Sequence, residues 1–424
     1  MIEPAEVTSE SNSVGNKSMR QRICFFGHFG TLNFGNESTL QAIVYHLHRL
    51  LPDAEVACIC TCPRALVATR NIEAFPISRT IGKPWDLTNP LAKLLRKVFA
   101  GIPRELYRWL DAFKTLKGTD IFIIAGTGLL TDAYGLGGFG PYNLFKWTSM
   151  AKLARCKIFF ASVGAGPIDT PLGRYFVKSA LSLADFRSYR DQPSLQCAER
   201  IGVRVNNDRI YPDLVFSLPD VTVRVGGDKG GRGPTVGVGL MEFAGAYSVE
   251  AYAGANTRPY LEELVLFAEW LLTNGYDIRL LIGDLDGSDR EVTAEFRCKL
   301  KVRLGAYEEH RVVYNPVSSV DGLLSELAST DVVVATRFHN ILMALLLNKP
   351  VISISFHHKC ASLMSEMGLA EYCHDIRRMD AGRLIEQFQD VERNADRLKH
   401  VISEKVDQAR KALDEQYALI FKSS

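Results

Sequence analysis

The chain carries almost no excess charge. Across 424 residues, 50 Lys and Arg stand against 48 Asp and Glu, a net of +2. That balance excludes the broad basic field that attracts nucleic-acid backbones. No apolar run reaches the length that spans a bilayer. The first twenty residues, MIEPAEVTSESNSVGNKSMR, lack the apolar core of a secretory signal and read as a disordered tail. Cysteine occurs nine times, an odd number, with no CxxC pair. Together these features point to a reducing cytoplasm and mostly buried thiols. Cys58, Cys60 and Cys62 fall on one face of a strand, which reads as packing. His357, His358 and Cys360 lack the further ligands that a zinc site needs. The dinucleotide fingerprint GxGxxG is missing from the first strand-to-helix loop. No metal and no cofactor is expected.

What is present is an ordinary globular composition, 47% hydrophobic and 23% charged. Strands and helices alternate. RICFFG (22–27), a helix near 37–51 and AEVACIC (54–60) open a βαβ series. It continues through strands at 120–126, 157–164 and 186–191. A Gly- and charge-rich stretch, 219–234, reads as a linker. A second series follows, with strands at 235–240, 276–283, 311–316, 331–336 and 350–356. The expected organisation is a tail (1–20), a first Rossmann-like domain (21–218), the linker, and a second such domain (235–380). A helical segment (381–424) ends the chain. Two parallel-sheet α/β domains would face a cleft, with ligands beyond the carboxyl ends of the strands.

One stretch interrupts the alternation. Residues 83–117 hold eight Lys and Arg against three acids, a net of +5, in an amphipathic and aromatic sequence. It reads either as a solvated helical hairpin or as a surface for peripheral contact with an anionic membrane.

Several loops carry chemistry. GHFGTLNFGNEST sets Asn33, Asn36 and Glu37 near a helix start, where they could meet a substrate or cap the helix. AGTGLLTDAYGLGGFG sets Gly126 and Gly128 directly after a strand and Asp132 beyond. A carboxylate there could accept a hydroxyl proton or form an Asx-turn. ADFRSYRDQPS offers Arg190, whose planar fork grips phosphate or carboxylate, or else pairs with Asp191. VVVATRFHNILMALLLNKPVIS sets Arg337 and His339 in the first turn of an apolar helix, with Thr336 as the expected cap. Cations disfavour that end of a helix. Either an anionic ligand or an internal carboxylate must answer them. His357 is expected to line the cleft after the strand 350–356.

In order, these patches resemble the polysaccharide pyruvyl transferase family. Leu32-Asn33-Phe34-Gly35-Asn36-Glu37 is similar to its G-N-x-G-D-E motif, with Leu32 and Asn36 in place of Gly and Asp. Ala125 to Leu130, Ser162 to Pro167, Ser188 to Ser194, and Arg337-Phe338-His339 followed by Asn348 to Ile354 supply the rest. The resemblance implies a GT-B-like pair of domains. It implies transfer of a pyruvyl group from phosphoenolpyruvate to a sugar, forming a ketal on a lipid-linked oligosaccharide or exopolysaccharide. Arg337 and Arg190 would bind the donor's phosphate and carboxylate. His339, protonated, would donate to the methylene carbon. Asp132 or Glu37 would take the hydroxyl proton. Asn33, Asn36, Gly126, Gly128, Phe338 and His357 would line the substrates. The rival readings are a nucleotide-sugar glycosyltransferase on the same fold and a non-catalytic glycan binder.

Overall fold

The computed structural model describes residues 20–31, 33–70, 72–79, 101–137, 140–219, 233–241, 258–283, 289–305, 309–355 and 358–422. Residues 83–100 of the basic stretch, most of the linker 219–234, and the site candidate His357 lie outside the described residues.

The first sheet follows from apolar runs such as FFG, IFIIA and KIFFASV, buried along nearly their whole length. Strands of that kind need cover on both faces, which parallel sheets with helical crossovers provide. The elements are β1 (Arg22–Gly27), α1 (Phe34–Leu50), β2 (Glu55–Cys60), α2 (Pro63–Arg70), β3 (Glu73–Pro76), α3 (Ile102–Leu116) and β4 (Ile121–Ala125). Then come α4 (Pro141–Leu153), β5 (Lys157–Val163), α5 (Pro171–Ser182), β6 (Phe186–Tyr189), α6 (Gln192–Arg200) and β7 (Arg209–Ile210). The strand order is β3-β2-β1-β4-β5-β6-β7, and every pairing is parallel.

The second half repeats the plan. Its elements are β8 (Thr235–Gly239), α7 (Arg258–Thr273), β9 (Asp277–Leu281), α8 (Asp289–Leu304), β10 (Val312–Val313), α9 (Val320–Ala328), β11 (Val332–Ala335) and α10 (Phe338–Leu346). β12 (Val351–Ser355), α11 (His358–Glu366), β13 (Cys373–Asp375), α12 (Ala381–Arg393) and α13 (Ala395–Lys422) complete it. The order is β10-β9-β8-β11-β12-β13, again all parallel. The architecture is two parallel-sheet α/β domains of the GT-B kind. In each sheet the strand order reverses beside the first strand, between β1 and β4 and between β8 and β11. Loops after those strands flank the crevice where ligands of such sheets bind.

Alternation along β1 sends Ile23 and Phe25 to one face of the sheet and Cys24 and Phe26 to the other. The second face is covered by α3, α4 and α5 through Ala112, Leu144, Trp147 and Val177. On the first face, α1 and the 3₁₀ turn Leu214–Ser217 join a core that runs on into the second domain. The helix α13 also returns to this face. Its Gln416 bonds the hydroxyls of Ser162 and Ser188, and Tyr417 pairs with Ser217 at 2.7 Å. Three elements depart from the sequence-based expectation. The short edge strands β3 and β13 and the helix α2 were not anticipated. Helix α1 begins at Phe34, capped by Asn33, whose side chain accepts from the Asn36 N–H.

Candidate active site

Arg190 leaves the end of β6 and is held in place from three sides. Its backbone N–H donates to the Val163 carbonyl at 3.2 Å. Its Nη1 donates to Asp213 Oδ2 at 3.3 Å, and Asp191 Oδ2 lies 3.4 Å from its Nε. Asp213 also caps the 3₁₀ turn by accepting from Val215 N–H, and Asp191 caps α6 by accepting from Ser194 N–H. Gly164 makes room for the guanidinium, since a Cβ there would stand 2.9 Å from it. The whole group is buried, with Arg190 only 6% exposed. The expected Arg190–Asp191 pair is therefore present, but buried rather than on the surface.

The second domain meets this group from the opposite side. The Phe338 ring lies 4.9 Å from the Arg190 guanidinium carbon, a cation–π contact across the two halves. Beside it, the His339 ring occupies the space where a side chain on Gly35 would begin. Lys359, in the first turn of α11, reaches the Gly-rich loop, with Nζ 3.3 Å from where a Gly128 Cβ would be. Arg190, Phe338 and Lys359 line a recess floored by Asp213 and Phe216.

The charges that bear on His339 are all cationic, although Asp191, Asp213 and Glu366 line the recess beside it. Burial is the largest influence on His339, followed by Arg190, Lys359 and Arg337, and together they push its imidazole down to about 3. These surroundings favour the neutral ring in the unliganded protein. Lys359 is pushed down to about 8, by burial first and Arg190 second, with Asp191 opposing. Three cationic or protonatable side chains from two domains thus converge on one crevice.

Arg337 is differently engaged. Its Nε and Nη2 bond both carboxylate oxygens of Asp289 at 3.0 and 2.6 Å, and Asp289 is fully buried. The internal carboxylate answers Arg337, whereas the charges acting on His339 are all positive. The cap also differs from expectation. Arg337 itself is the N-cap of α10, with no side-chain cap bond, and the Thr336 hydroxyl donates to the Gly239 carbonyl at 3.1 Å.

The two carboxylates expected to take a proton are occupied by their own loops. Asp132 accepts from the Thr170 hydroxyl and from the N–H groups of Asp169 and Thr170. Burial opposes ionisation there, but these bonds prevail and hold its carboxyl below the usual range. Glu37 accepts from Gly30 N–H at 2.7 Å, and burial raises its carboxyl. Asp132 ties the Gly-rich loop to the start of α5, and Glu37 closes the loop after β1. Gly126 has a positive φ of 27° at the end of β4. Asn33 Oδ1 accepts from the backbone N–H of Asn36 as the cap of α1. Cys360 belongs to the core, 1% exposed.

The polysaccharide pyruvyl transferase pattern matches residues 33–358, most of the chain. The chain belongs to the polysaccharide pyruvyl transferase family. Among curated relatives, the amylovoran biosynthesis protein AmsJ of Erwinia amylovora is 21% identical over 421 residues, covering 92% of this chain and 96% of its own. Solved structures of like fold include a putative UDP-N-acetylglucosamine 2-epimerase from Listeria monocytogenes. It has a TM-score of 0.58 at 11% identity, over 96% of this chain and 98% of that one. Anabaena HepE in complex with UDP-glucose has a TM-score of 0.54 at 14% identity, over 96% and 100%. Within this pyruvyl transferase family member, two site residues escaped the sequence reading: Lys359 and Asp213. Lys359 carries the same signal that marked Arg337 and His339, a cation in the first turn of a helix.

Proposed function

We propose that this protein transfers the pyruvyl group of phosphoenolpyruvate onto two hydroxyls of a sugar in an exopolysaccharide or its lipid-linked precursor, forming a ketal. The observation that carries this reading is the convergence of Arg190, Lys359 and His339 on one crevice. Phosphoenolpyruvate brings a phosphate and a carboxylate into that field. Arg190 suits the planar, bidentate geometry of either anion, and Lys359 supplies a point charge. Asp191, Asp213 and Glu366 line the same recess and oppose these charges in part. A multiply charged donor would offset the cations that keep His339 neutral, so the imidazole takes up a proton as the donor binds.

His339 then protonates the methylene carbon. That leaves the adjacent carbon electrophilic, and a sugar hydroxyl adds to it and returns a proton to the His339 imidazole. Cleavage of the carbon–oxygen bond releases phosphate. The second hydroxyl adds in its place, and its proton balances the leaving phosphate. Phe338 packs on Arg190 and fixes where that guanidinium points. Arg337, locked to Asp289, sets the entry of α10 and the position of His339.

The test is phosphate release from phosphoenolpyruvate across a panel of sugar acceptors. Acceptor-dependent release, abolished by Arg190→Ala, supports the reading, as does thermal stabilisation by phosphoenolpyruvate. Stabilisation by a UDP-sugar, with no phosphate release on any acceptor, would overturn it in favour of glycosyl transfer.

A further inference from the structure

Helix α3 packs Ala112 and Leu116 onto the sheet, yet it carries a second apolar stripe on its outer side. Ile102, Leu106, Tyr107 and Leu110 form one stripe, and each is at least 50% exposed. The inner side sets Trp109 against Phe145 of α4 and pairs its polar groups. There Glu105 pairs with Arg108 at 2.9 Å and with Lys146 at 3.6 Å, and it accepts from the Tyr142 hydroxyl. A helix of a water-soluble surface turns its apolar stripe inward. The neighbouring helices extend the apolar face with Leu153 on α4 and with Leu172 and Tyr175 on α5, all more than half exposed. Between α4 and α5 runs a groove lined by Phe145, Ser149, Leu153, Tyr175, Lys178 and Ser182. Scattered single apolar side chains need no explanation, but exposed apolar side chains clustered on three neighbouring helices do.

Charge identifies what covers it. The three helices carry seven Lys and Arg against two acids, Glu105 and Asp111. Both acids are paired, Asp111 with Arg79 at 3.1 Å. Lys146 is buried, and Arg108 and Lys152 pair with Glu105 and Asp185, so the surface surplus rests on Arg104, Lys114, Arg174 and Lys178. Lys114, Arg174 and Lys178 are exposed around the apolar stripe. The whole chain has a net of only +2, so this basic surplus is concentrated here. Apolar side chains ringed by lysines match the interface of an anionic bilayer, where apolar groups enter the headgroup layer and lysines meet lipid phosphates. The face also adjoins the crevice. Asp132 ties the start of α5 to the loop that carries Gly128, and Gly128 sits beside Lys359.

We propose that the α3–α5 face docks on an anionic lipid bilayer and holds the crevice next to the membrane surface. That a lipid-linked acceptor is served there rests on the pyruvyl-transfer reading; the docking itself does not. The test is cosedimentation of the full chain with vesicles of phosphatidylcholine alone or with added phosphatidylglycerol, with no donor or acceptor present. The chain is expected to sediment with the anionic vesicles only. Leu106→Glu/Leu110→Glu should abolish sedimentation, and Lys114→Glu/Lys178→Glu should weaken it about tenfold or more. All four side chains are exposed, so both variants should keep the wild-type circular dichroism and melting temperature. Phosphate release with a soluble acceptor should also be unchanged, which separates failure of docking from failure of the chemistry. Absence of anionic-vesicle binding, or binding that survives both variants, would overturn the proposal. Equal binding to both vesicle types would do the same, since it removes the electrostatic contact.

Discussion

The imidazole of His339, on the second domain, stands where the side chain of residue 35, on the first, would have to begin. Gly35 lies inside helix α1, where alanine is the better helix former by about 1 kcal/mol. Local propensity therefore favours the substitution, and the cross-domain contact forbids it. Gly35→Ala should leave the protein folded but displace His339 or part the domains. A displacement near 1 Å at a catalytic group costs about 100-fold in rate. Phosphate release by Gly35→Ala should fall by about that factor, with a melting temperature close to wild type. If Gly35→Ala and His339→Ala together are no worse than His339→Ala alone, both act through the same ring. Additive losses would refute that link.

Arg190 and Asp213 make a second separable pair. Both are buried, with side chains 5% and 3% exposed. Removing Arg190 alone leaves the buried Asp213 carboxylate without its guanidinium partner. Breaking a buried pair from one side costs about 3–5 kcal/mol. Arg190→Ala should lose roughly that in urea denaturation and lose donor binding as well. Arg190→Ala/Asp213→Asn should recover most of the stability and none of the binding. Recovery of both would show that Arg190 only supports the fold.

The sequence made the sheet centres legible and their edges obscure. IFIIA and VVVA can hardly be anything but buried strands, because no polar residue interrupts them. EAFP and CHD are short, half-buried edge strands with no apolar run, and nothing local announces them. Arg337 and His339 were legible as a problem, since cations in the first turn of a buried helix need an answer. The answer for Arg337 was not, because Asp289 stands 48 residues away in sequence. Asp132 and Glu37 look alike in sequence to free carboxylates at strand ends. Only the folded loops bring Thr170 and Gly30 to them.

His339 gives a pH signature in the absence of substrate. An ordinary histidine titrates near 6.5, and this one is held down to about 3. Between those values the unfolded chain binds a proton that the folded chain refuses, so stability rises with pH across this window and is level above it. His339→Gln should flatten that part of the urea-midpoint profile between pH 5 and about 6.5. Donor binding should reverse the sign locally. Calorimetry near neutral pH, in buffers of different ionisation enthalpy, should find about one proton taken up per phosphoenolpyruvate by wild type and none by His339→Gln. Equal uptake by both would place the proton elsewhere.

Lys359 governs the other side of neutrality. Its ammonium, pushed down to about 8, is charged at pH 7 and loses its proton as pH rises past that value. Above it the crevice keeps Arg190 but loses a point charge, so affinity for phosphoenolpyruvate should decline between pH 8 and about 10. The His339 effect lies at lower pH and does not overlap this decline. Arginine keeps its proton throughout that range. Lys359→Arg should therefore hold its affinity at alkaline pH, although its longer, planar head fits less well beside Gly128 and should raise the dissociation constant at pH 7. Lys359→Met should bind weakly at every pH and show no alkaline decline. If Lys359→Met instead keeps the wild-type profile, the alkaline group is another one and Lys359 does not touch the donor.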